Sequence, residues 1–407
     1  MRTLLVAVIM VLPGADLVAA QNPDSLARAR EDSLRIVREL QAMGRRDTAA
    51  GQAPPQGRGP VNPRLLPDIS AVGDLVADFS PKGSTQENAS RVGVREVELQ
   101  LIAAVDPYFR GEFLAAWSDA EGATLEQAIL TTTSLPWGLQ LRIGRVPLPF
   151  GKQNILHREA LHTIEFPYVI QRFLSEEGLK ANGVVASKVM APFGFYQELQ
   201  ATVADRFGEA PEDLVAESPP SRTLEGLGYG LRLRNYWDLS ESSNLEISAS
   251  GATGLREQPF AVPVDDISAT LVRQTLVGLD VTYRWRPLQQ GLYRSFLLQG
   301  ELMKQLNSQD VPPNYEGPTR DFTGAYLLAR YQVGRRSYIG ARYDWVQDPE
   351  AGGIAHQAGT IQFQFLPSEF SKITAAVERR GLKGEGGTTR LLLQTTFAIG
   401  PHRPHPF

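Results

Sequence analysis

The chain has 407 residues, no cysteine and a formal net charge of −4. Without cysteine it can form neither a disulfide framework nor a thiolate site, and its slightly acidic balance gives no basic field for nucleic acid. A chain of this length could hold two or three soluble domains. The distribution of apolar residues instead predicts one large all-β domain behind a short N-terminal section.

The first twenty residues have the features of a secretory signal peptide. Arg2 gives a basic start, residues 4–12 form an apolar run, and Val18 and Ala20 occupy the positions that a signal peptidase reads. We therefore predict cleavage before Gln21. The apolar run is shorter than the roughly 20 residues that a membrane-spanning helix needs, so the mature chain is expected to leave the cytoplasm.

Residues 21–45 are rich in helix formers and predict a short periplasmic helix. Four positions in it follow a heptad-like spacing, namely Ser33, Ile36, Leu40 and Met43. The pattern fits either a solvated amphipathic helix or a short coiled coil that joins subunits. Residues 46–65 are rich in proline and glycine and are expected to form an extended linker.

Residues 66–407 repeat one pattern, in which apolar and polar residues alternate and a turn or loop follows. Leu139, Leu141 and Ile143, for example, alternate with Gln140 and Arg142, which places the two kinds of side chain on opposite faces of a strand. About sixteen such strands are predicted, near residues 69–79, 92–105, 107–117, 124–134, 138–147, 183–191, 194–205, 228–239, 244–254, 268–286, 294–305, 322–333, 336–347, 357–366, 371–381 and 388–400.

The connections between these strands alternate between tight turns and longer loops, which is typical of a transmembrane antiparallel β-barrel. Aromatic residues such as Trp117, Trp285 and Trp345 fall near strand ends on the apolar face, where an interfacial girdle would lie. A soluble β-sandwich would also show alternation, but it needs no alternation of loop lengths. We therefore predict that apolar side chains face lipid, that polar ones face a watery interior, and that the sheet closes.

The longest predicted loop, residues 147–183, mixes aromatic and charged residues and is expected to fold into the barrel as a constriction, although it could also lie outside as a lid or a subunit contact. From strand parity and loop position, the following residues are predicted to line the pore or its constriction: Arg142, Lys152, Arg158, Glu159, Glu165, Arg172, Arg232, Arg234, Arg284 and Arg342. Arg142, Arg232 and Arg234 are expected to form a basic wall with Lys152 and Arg158, opposite an acidic side that includes Glu159 and Glu165.

Several stretches resemble the phosphate-selective porins of bacterial outer membranes. They are "GRVPLPFGKQN", "FLSEEGL", "NGVVASKV" and the closing "GPHRPHPF". The resemblance implies a sixteen-stranded barrel in outer-membrane lipid, a homotrimer, a constriction by the third long loop and recognition of the final Phe407 by barrel-assembly machinery. Phosphate selectivity does not carry over, because the predicted inward residues mix arginine with acidic residues, and His405 and Arg403 depart from the apolar pattern expected before Phe407.

The function expected from the sequence is a porin through which small polar or charged solutes diffuse, with no cofactor and no enzymatic activity. The alternative is a gated or energy-coupled transporter, although only some forty mature residues precede the first strand, too few for a globular plug. His157 and His162 share the long loop with Glu159 and Glu165, but their spacing matches no standard zinc motif. No metal site is therefore predicted.

Overall fold

The structure, a computed structural model, describes residues 67–401 apart from 87–88, 119–121, 176–177, 208–222, 258–270, 307–320, 350 and 352. The predicted signal peptide, N-terminal helix and linker, and the C-terminal Phe407, lie outside these residues. Among the described residues, no helix is long and apolar enough to cross a membrane.

The described residues form a closed barrel of sixteen antiparallel strands, which confirms the predicted fold class. The strands are β1 (Asp68–Asp78), β2 (Val92–Ala104), β3 (Phe109–Ser118), β4 (Gly122–Thr132), β5 (Leu139–Pro147), β6 (Lys180–Met190), β7 (Tyr196–Ala204), β8 (Gly228–Ser240), β9 (Ser243–Glu257), β10 (Leu271–Trp285), β11 (Phe296–Leu306), β12 (Phe322–Gly334), β13 (Ser337–Asp348), β14 (Ile354–Ser368), β15 (Ser371–Leu382) and β16 (Thr388–Ile399). Each strand pairs with its sequence neighbours, and β1 pairs with β16 to close the ring, so the barrel has no open edge.

The two faces of the barrel wall differ in the way that the sequence predicts. In β10, Val277 and Leu279 are exposed on the outer face, whereas Asp280 and Thr282 are buried on the inner face. In β14, the outward Ile361 is 71% exposed and the inward Thr360 is 7% exposed. A continuous apolar exterior around a polar interior suits a wall with lipid outside and polar groups inside.

The long connection between β5 and β6 comprises residues 148–179, and we call it the long segment. It contains one short α-helix, α1 (Tyr168–Phe173), and a 3₁₀ turn at Arg158–Ala160. It is shorter than predicted because β6 begins at Lys180, which pairs with Pro147 at the end of β5. The first residues of β6, 180–183 ("KANG"), show no clear apolar alternation. The sequence therefore did not predict that they pair with β5.

Candidate functional site

Many of the buried polar and charged side chains lie on the inner face of the barrel, and a large share of them contact the long segment. Buried charged groups are tolerated in proteins when they are paired and hydrogen-bonded. The strand residues that hydrogen-bond the segment through their side chains include Arg95, Gln127, Glu246, Ser250, Glu301, Arg342, Asp344, Gln362, Gln364, Lys372, Glu378, Arg380 and Arg390.

The long segment also supplies an apolar core. Its buried apolar side chains include Phe150, Leu161, Phe166, Tyr168, Val169, Ile170, Phe173, Leu174 and Leu179. They form one cluster with strand residues that include Leu276, Phe322 and Leu328. These three lie on the inner face, where alternation alone would place polar residues. The apolar inner positions therefore mark the part of the wall that the segment covers.

The first part of the segment is held by a carboxylate of β11. Glu301 is 3% exposed and accepts hydrogen bonds from the backbone N–H of Lys152 (3.0 Å) and of Gln153 (2.9 Å). The hydroxyl of Tyr326 donates to the same carboxylate at 2.9 Å. Gly151 has a φ of +61°, and a Cβ at this position would overlap the Glu301 carboxylate. The turn therefore requires glycine for both its backbone conformation and its closeness to β11.

A basic cluster surrounds Glu246 of β9, whose side chain is fully buried. The Lys152 Nζ donates to its two carboxylate oxygens at 2.8 and 3.0 Å. Arg234 donates to the same two oxygens at 2.9 Å each, and Arg284 lies 3.7 Å away. Burial lowers the pKa of Lys152 from its usual value, although the Glu246 charge opposes this shift. Three cations share this carboxylate, and Glu198, at 3.5 Å from Arg234, supplies further negative charge.

A second cluster holds the middle of the segment against β15 and β16. Arg390 is 1% exposed and forms a bidentate pair with Glu165, with N–O distances of 2.6 and 2.7 Å. Burial alone would raise the pKa of Glu165, but the hydrogen bonds and charge of Arg390 lower it to about 2. The Tyr168 hydroxyl donates to Glu378 at 3.0 Å, and burial raises the pKa of that hydroxyl. Arg380 donates to the Tyr168 oxygen at 2.7 Å.

Arg342 of β13 binds the same part of the segment from another side. Its guanidinium donates to the Thr163 hydroxyl and to the Glu165 carbonyl oxygen, each at 2.7 Å. It also pairs with Asp344 at 2.7 Å, and Asp344 accepts the backbone N–H of Tyr168 at 3.0 Å. The Asp344 bond satisfies an amide at the start of α1 that no turn of the helix can reach.

An acidic cluster lies where the segment meets β2 and β4. Its carboxylates come from Glu96 and Glu98 of β2, Glu126 of β4 and Glu159 of the segment, and the first three lie on the inner face. Burial, and then the neighbouring carboxylate of Glu96, raises the pKa of Glu159 to about 7, although a hydrogen bond within the Glu159 residue opposes that shift. The acidic and basic clusters are on separate parts of the wall.

The structure brings some of the predicted pore residues together and separates others. Lys152, Arg234 and Arg284 meet at Glu246, and Arg232 lies 3.5 Å from Asp280 on the next strand but one. The remaining predicted residues occupy other places: Arg142 lies on the inner face opposite the buried Val185, Arg158 is 3.9 Å from Glu96, Arg172 is 3.1 Å from Asp348, Glu159 is in the acidic cluster, Glu165 is on Arg390, and Arg342 is on Asp344.

Arg142 on β5 lies outside the cluster at Glu246, and two further placements differ from the predicted arrangement. Arg158, expected in the basic wall, faces the acidic cluster, and Glu165, expected on the acidic side, is neutralised by Arg390. Both residues lie in irregular backbone, where no period fixes the direction of a side chain. Strand parity predicts Glu246, Glu301 and Arg390 on the inner face, but it does not identify them as anchors of the segment.

Comparison with known proteins agrees with the architecture. No protein-family model matches the chain. An uncharacterized protein of Aquifex aeolicus is 28% identical over 333 residues, which cover 76% of this chain and 69% of that protein.

Three solved structures illustrate the likeness in fold. OmpT of Vibrio cholerae, expressed in the outer membrane, has a TM-score of 0.54 at 9% identity, covering 84% of this chain and 100% of that one. An anion-selective porin from Comamonas acidovorans scores 0.53 at 12% identity, covering 82% and 99%. The outer membrane channel DcaP of Acinetobacter baumannii scores 0.51 at 10% identity, covering 82% and 97%.

These similarities support the barrel fold that the sequence resemblance implies, and they do not extend to the phosphate-selective family. At such low identity the similarities show the fold alone, and the apolar exterior of the barrel agrees with that fold. The chain therefore shares the barrel fold of these outer-membrane proteins, as a closed ring of sixteen antiparallel strands.

Proposed function

We propose that the protein is a non-enzymatic porin of the bacterial outer membrane, through which small hydrophilic solutes diffuse past a constriction formed by the long segment. The observation that carries this proposal is the position of the segment's partners. Lys152 and Gln153 bind β9 and β11, whereas the carbonyl of Ile164 binds Arg95 of β2 and Glu165 binds β16. These strands lie on opposite sides of the ring, and contacts with both sides support a segment that crosses the lumen.

The charges support selection by polarity. The basic cluster around Glu246 and the acidic cluster at β2 and β4 belong to opposite parts of the ring. Charges of opposite sign across a narrow aqueous pore set up a transverse field, which favours polar solutes over apolar ones. The interior polar groups otherwise bind each other and the segment, which favours a structural role for them over a catalytic one.

The second candidate is a gated transporter, and the apolar cluster is the observation that favours it. A segment that buries Phe150, Phe173 and Leu174 almost completely behaves as a packed body rather than as a mobile loop. Such a body could fill the lumen and open only on a signal. A steady open conductance distinguishes a permanent constriction from this gated alternative.

The decisive experiment is single-channel recording of the refolded protein in a planar bilayer. Conductance in steps of three would support a homotrimer, as would the recorded trimer form of OmpT from Vibrio cholerae. Because Pro147 pairs with Lys180, a short Gly-Ser turn can replace residues 152–178. We expect this deletion to raise the conductance, and an unchanged conductance from a folded barrel would contradict the constriction.

A substitution provides a second route if the deletion does not fold. The double variant Phe150→Ala and Phe173→Ala removes two side chains of the apolar cluster, each 1% exposed or less. The matched control is Phe363→Ala, which removes an aromatic side chain that is 46% exposed on the outer face. We expect larger or fluctuating conductance in the double variant and normal conductance in the control. Folding is checked by the heat-dependent mobility of the barrel in gels.

A further inference from the structure

Three metal-ligand side chains meet where the long segment reaches β2. They are Glu98 of β2 with His157 and Glu159 of the segment, and each offers a ligand atom within 4.8 Å of the others. The Nδ1 of His157 lies 3.7 Å from the Glu98 Oε1. One imidazole nitrogen and two carboxylates form a donor set that suits Zn²⁺ and related divalent transition metals.

Glu159 provides the main evidence that this site binds a ligand. It is 9% exposed, so more than nine-tenths of it is buried. Among the residues that the structure describes, no donor hydrogen-bonds its buried Oε2. A buried carboxylate oxygen without a partner costs free energy, and a bound cation would remove that cost. The Lys372 ammonium is close by, but it donates to the backbone carbonyls of Glu159 and Leu161.

The charge balance of the cluster leaves room for a cation. Of the neighbouring carboxylates, Glu96 has Arg158 at 3.9 Å and Glu126 pairs with Lys180. When they are ionised, Glu98 and Glu159 add two negative charges beside these pairs, and His157 adds a positive charge only when it is protonated.

Gln127 of β4 provides a hydrogen-bond partner for the second ring nitrogen of His157, as a histidine ligand requires. Its amide nitrogen lies 2.8 Å from the His157 Nε2, which leaves Nδ1 on the side of Glu98. When Nδ1 binds a metal, Nε2 carries the proton, and the Gln127 amide oxygen can accept it after rotation of the amide by half a turn. Ligand histidines commonly donate their second N–H in this manner, which fixes the orientation of the ring.

We propose that Glu98, His157 and Glu159 form a binding site for a divalent transition-metal cation of the Zn²⁺ class. The spacing of these residues in the sequence did not predict such a site, because one ligand comes from a strand and the other two from irregular backbone. Zn–ligand bonds of about 2.0–2.2 Å require ligand atoms roughly 3.4 Å apart in a tetrahedron. The ligand atoms, which lie within 4.8 Å of one another, therefore close by at most about 1.4 Å on the ion, and the coordination position left open takes water or an exchangeable ligand.

The test is a Zn²⁺ titration of the full-length folded protein in detergent, in competition with a chromophoric chelator. His157→Ala and Glu159→Gln should each weaken Zn²⁺ binding at least tenfold. The matched control is His162→Ala, which removes the other histidine of the same segment while keeping its backbone carbonyl, and it should stay within twofold of the unaltered protein. If His157→Ala does not fold, His157→Gln replaces it.

The proposal is overturned if the unaltered protein binds Zn²⁺ no more tightly than the His157 variant, or if His162→Ala loses as much affinity. It is also overturned if Ca²⁺ competes at concentrations equal to those of Zn²⁺, because Ca²⁺ prefers an all-oxygen site. Binding in detergent does not depend on conductance. The metal site and the porin function can therefore fail separately.

Discussion

Glu301 should control whether the beginning of the long segment stays docked. In a Glu301→Ala variant, the backbone N–H groups of Lys152 and Gln153 lose their acceptors at 3.0 and 2.9 Å. A buried donor without a partner costs about 1–3 kcal/mol, so the two together should destabilise the docked state by about 2–6 kcal/mol. At 1.4 kcal/mol per factor of ten, amide exchange in this stretch should become about 30-fold to 10⁴-fold faster.

Hydrogen exchange by mass spectrometry on peptides covering residues 150–155 measures this effect directly. Glu301→Gln keeps one acceptor oxygen and should fall between the unaltered protein and the alanine variant. Asp238→Ala provides the control, because Asp238 is a wall carboxylate that accepts a hydrogen bond from Tyr236 at 3.0 Å. An acceleration below tenfold in Glu301→Ala, with the barrel folded, would refute the view that this carboxylate anchors the segment.

Three further predictions concern the same segment. Gly151→Ala should speed exchange in the long segment by about tenfold or more, because a left-handed backbone costs a residue with a Cβ about 1–2 kcal/mol even before the overlap with the Glu301 carboxylate. The control is Gly194→Ala: Gly194 also has a positive φ of +82°, but no atom of the described residues lies near its Cβ position, so exchange in the segment should not change. Phe173→Ala should cost about 3–5 kcal/mol of local stability, measured by exchange in α1, while the barrel keeps its gel mobility. The stabilisation by the Glu165 pair is fully present above the ordinary pKa of 4.5 and is lost progressively as the pH falls towards the lowered pKa of about 2. The protection factor near Glu165, which corrects for the intrinsic pH dependence of exchange, should therefore be the same at pH 7 and pH 5.5, and Arg390→Met should make it fall near pH 4.5 or above.

The barrel could be predicted from the sequence because lipid and water impose opposite demands on alternate residues of every strand. The tenth strand was expected at 268–286 and is formed by Leu271–Trp285, with the apolar face outward as predicted. The last strand ends at Ile399, within one residue of the expected end. Differences of a few residues arise at strand ends, where turn residues break the alternation although pairing continues.

The interior could not be predicted to the same depth. Strand alternation predicts that Arg390 faces inward, and Glu165 lies in the predicted long loop. The two residues are 225 positions apart, and nothing in the sequence around either one indicates that they pair. One signal was present in the sequence. Leu327 and Leu328 are both apolar, and the structure exposes the first while burying the second. Apolar residues on both faces of a strand can mark the wall against which an inner segment packs.

The connectivity of the anchors has a consequence for assembly. The long segment precedes β6 in the chain, yet its partners Glu246, Glu301 and Arg390 follow it by 94, 149 and 225 residues. Contacts over such separations form late, since the chain between them must first be ordered. The segment can acquire its complete set of partners only after β16 is in place, so its complete docking belongs to a late stage of assembly.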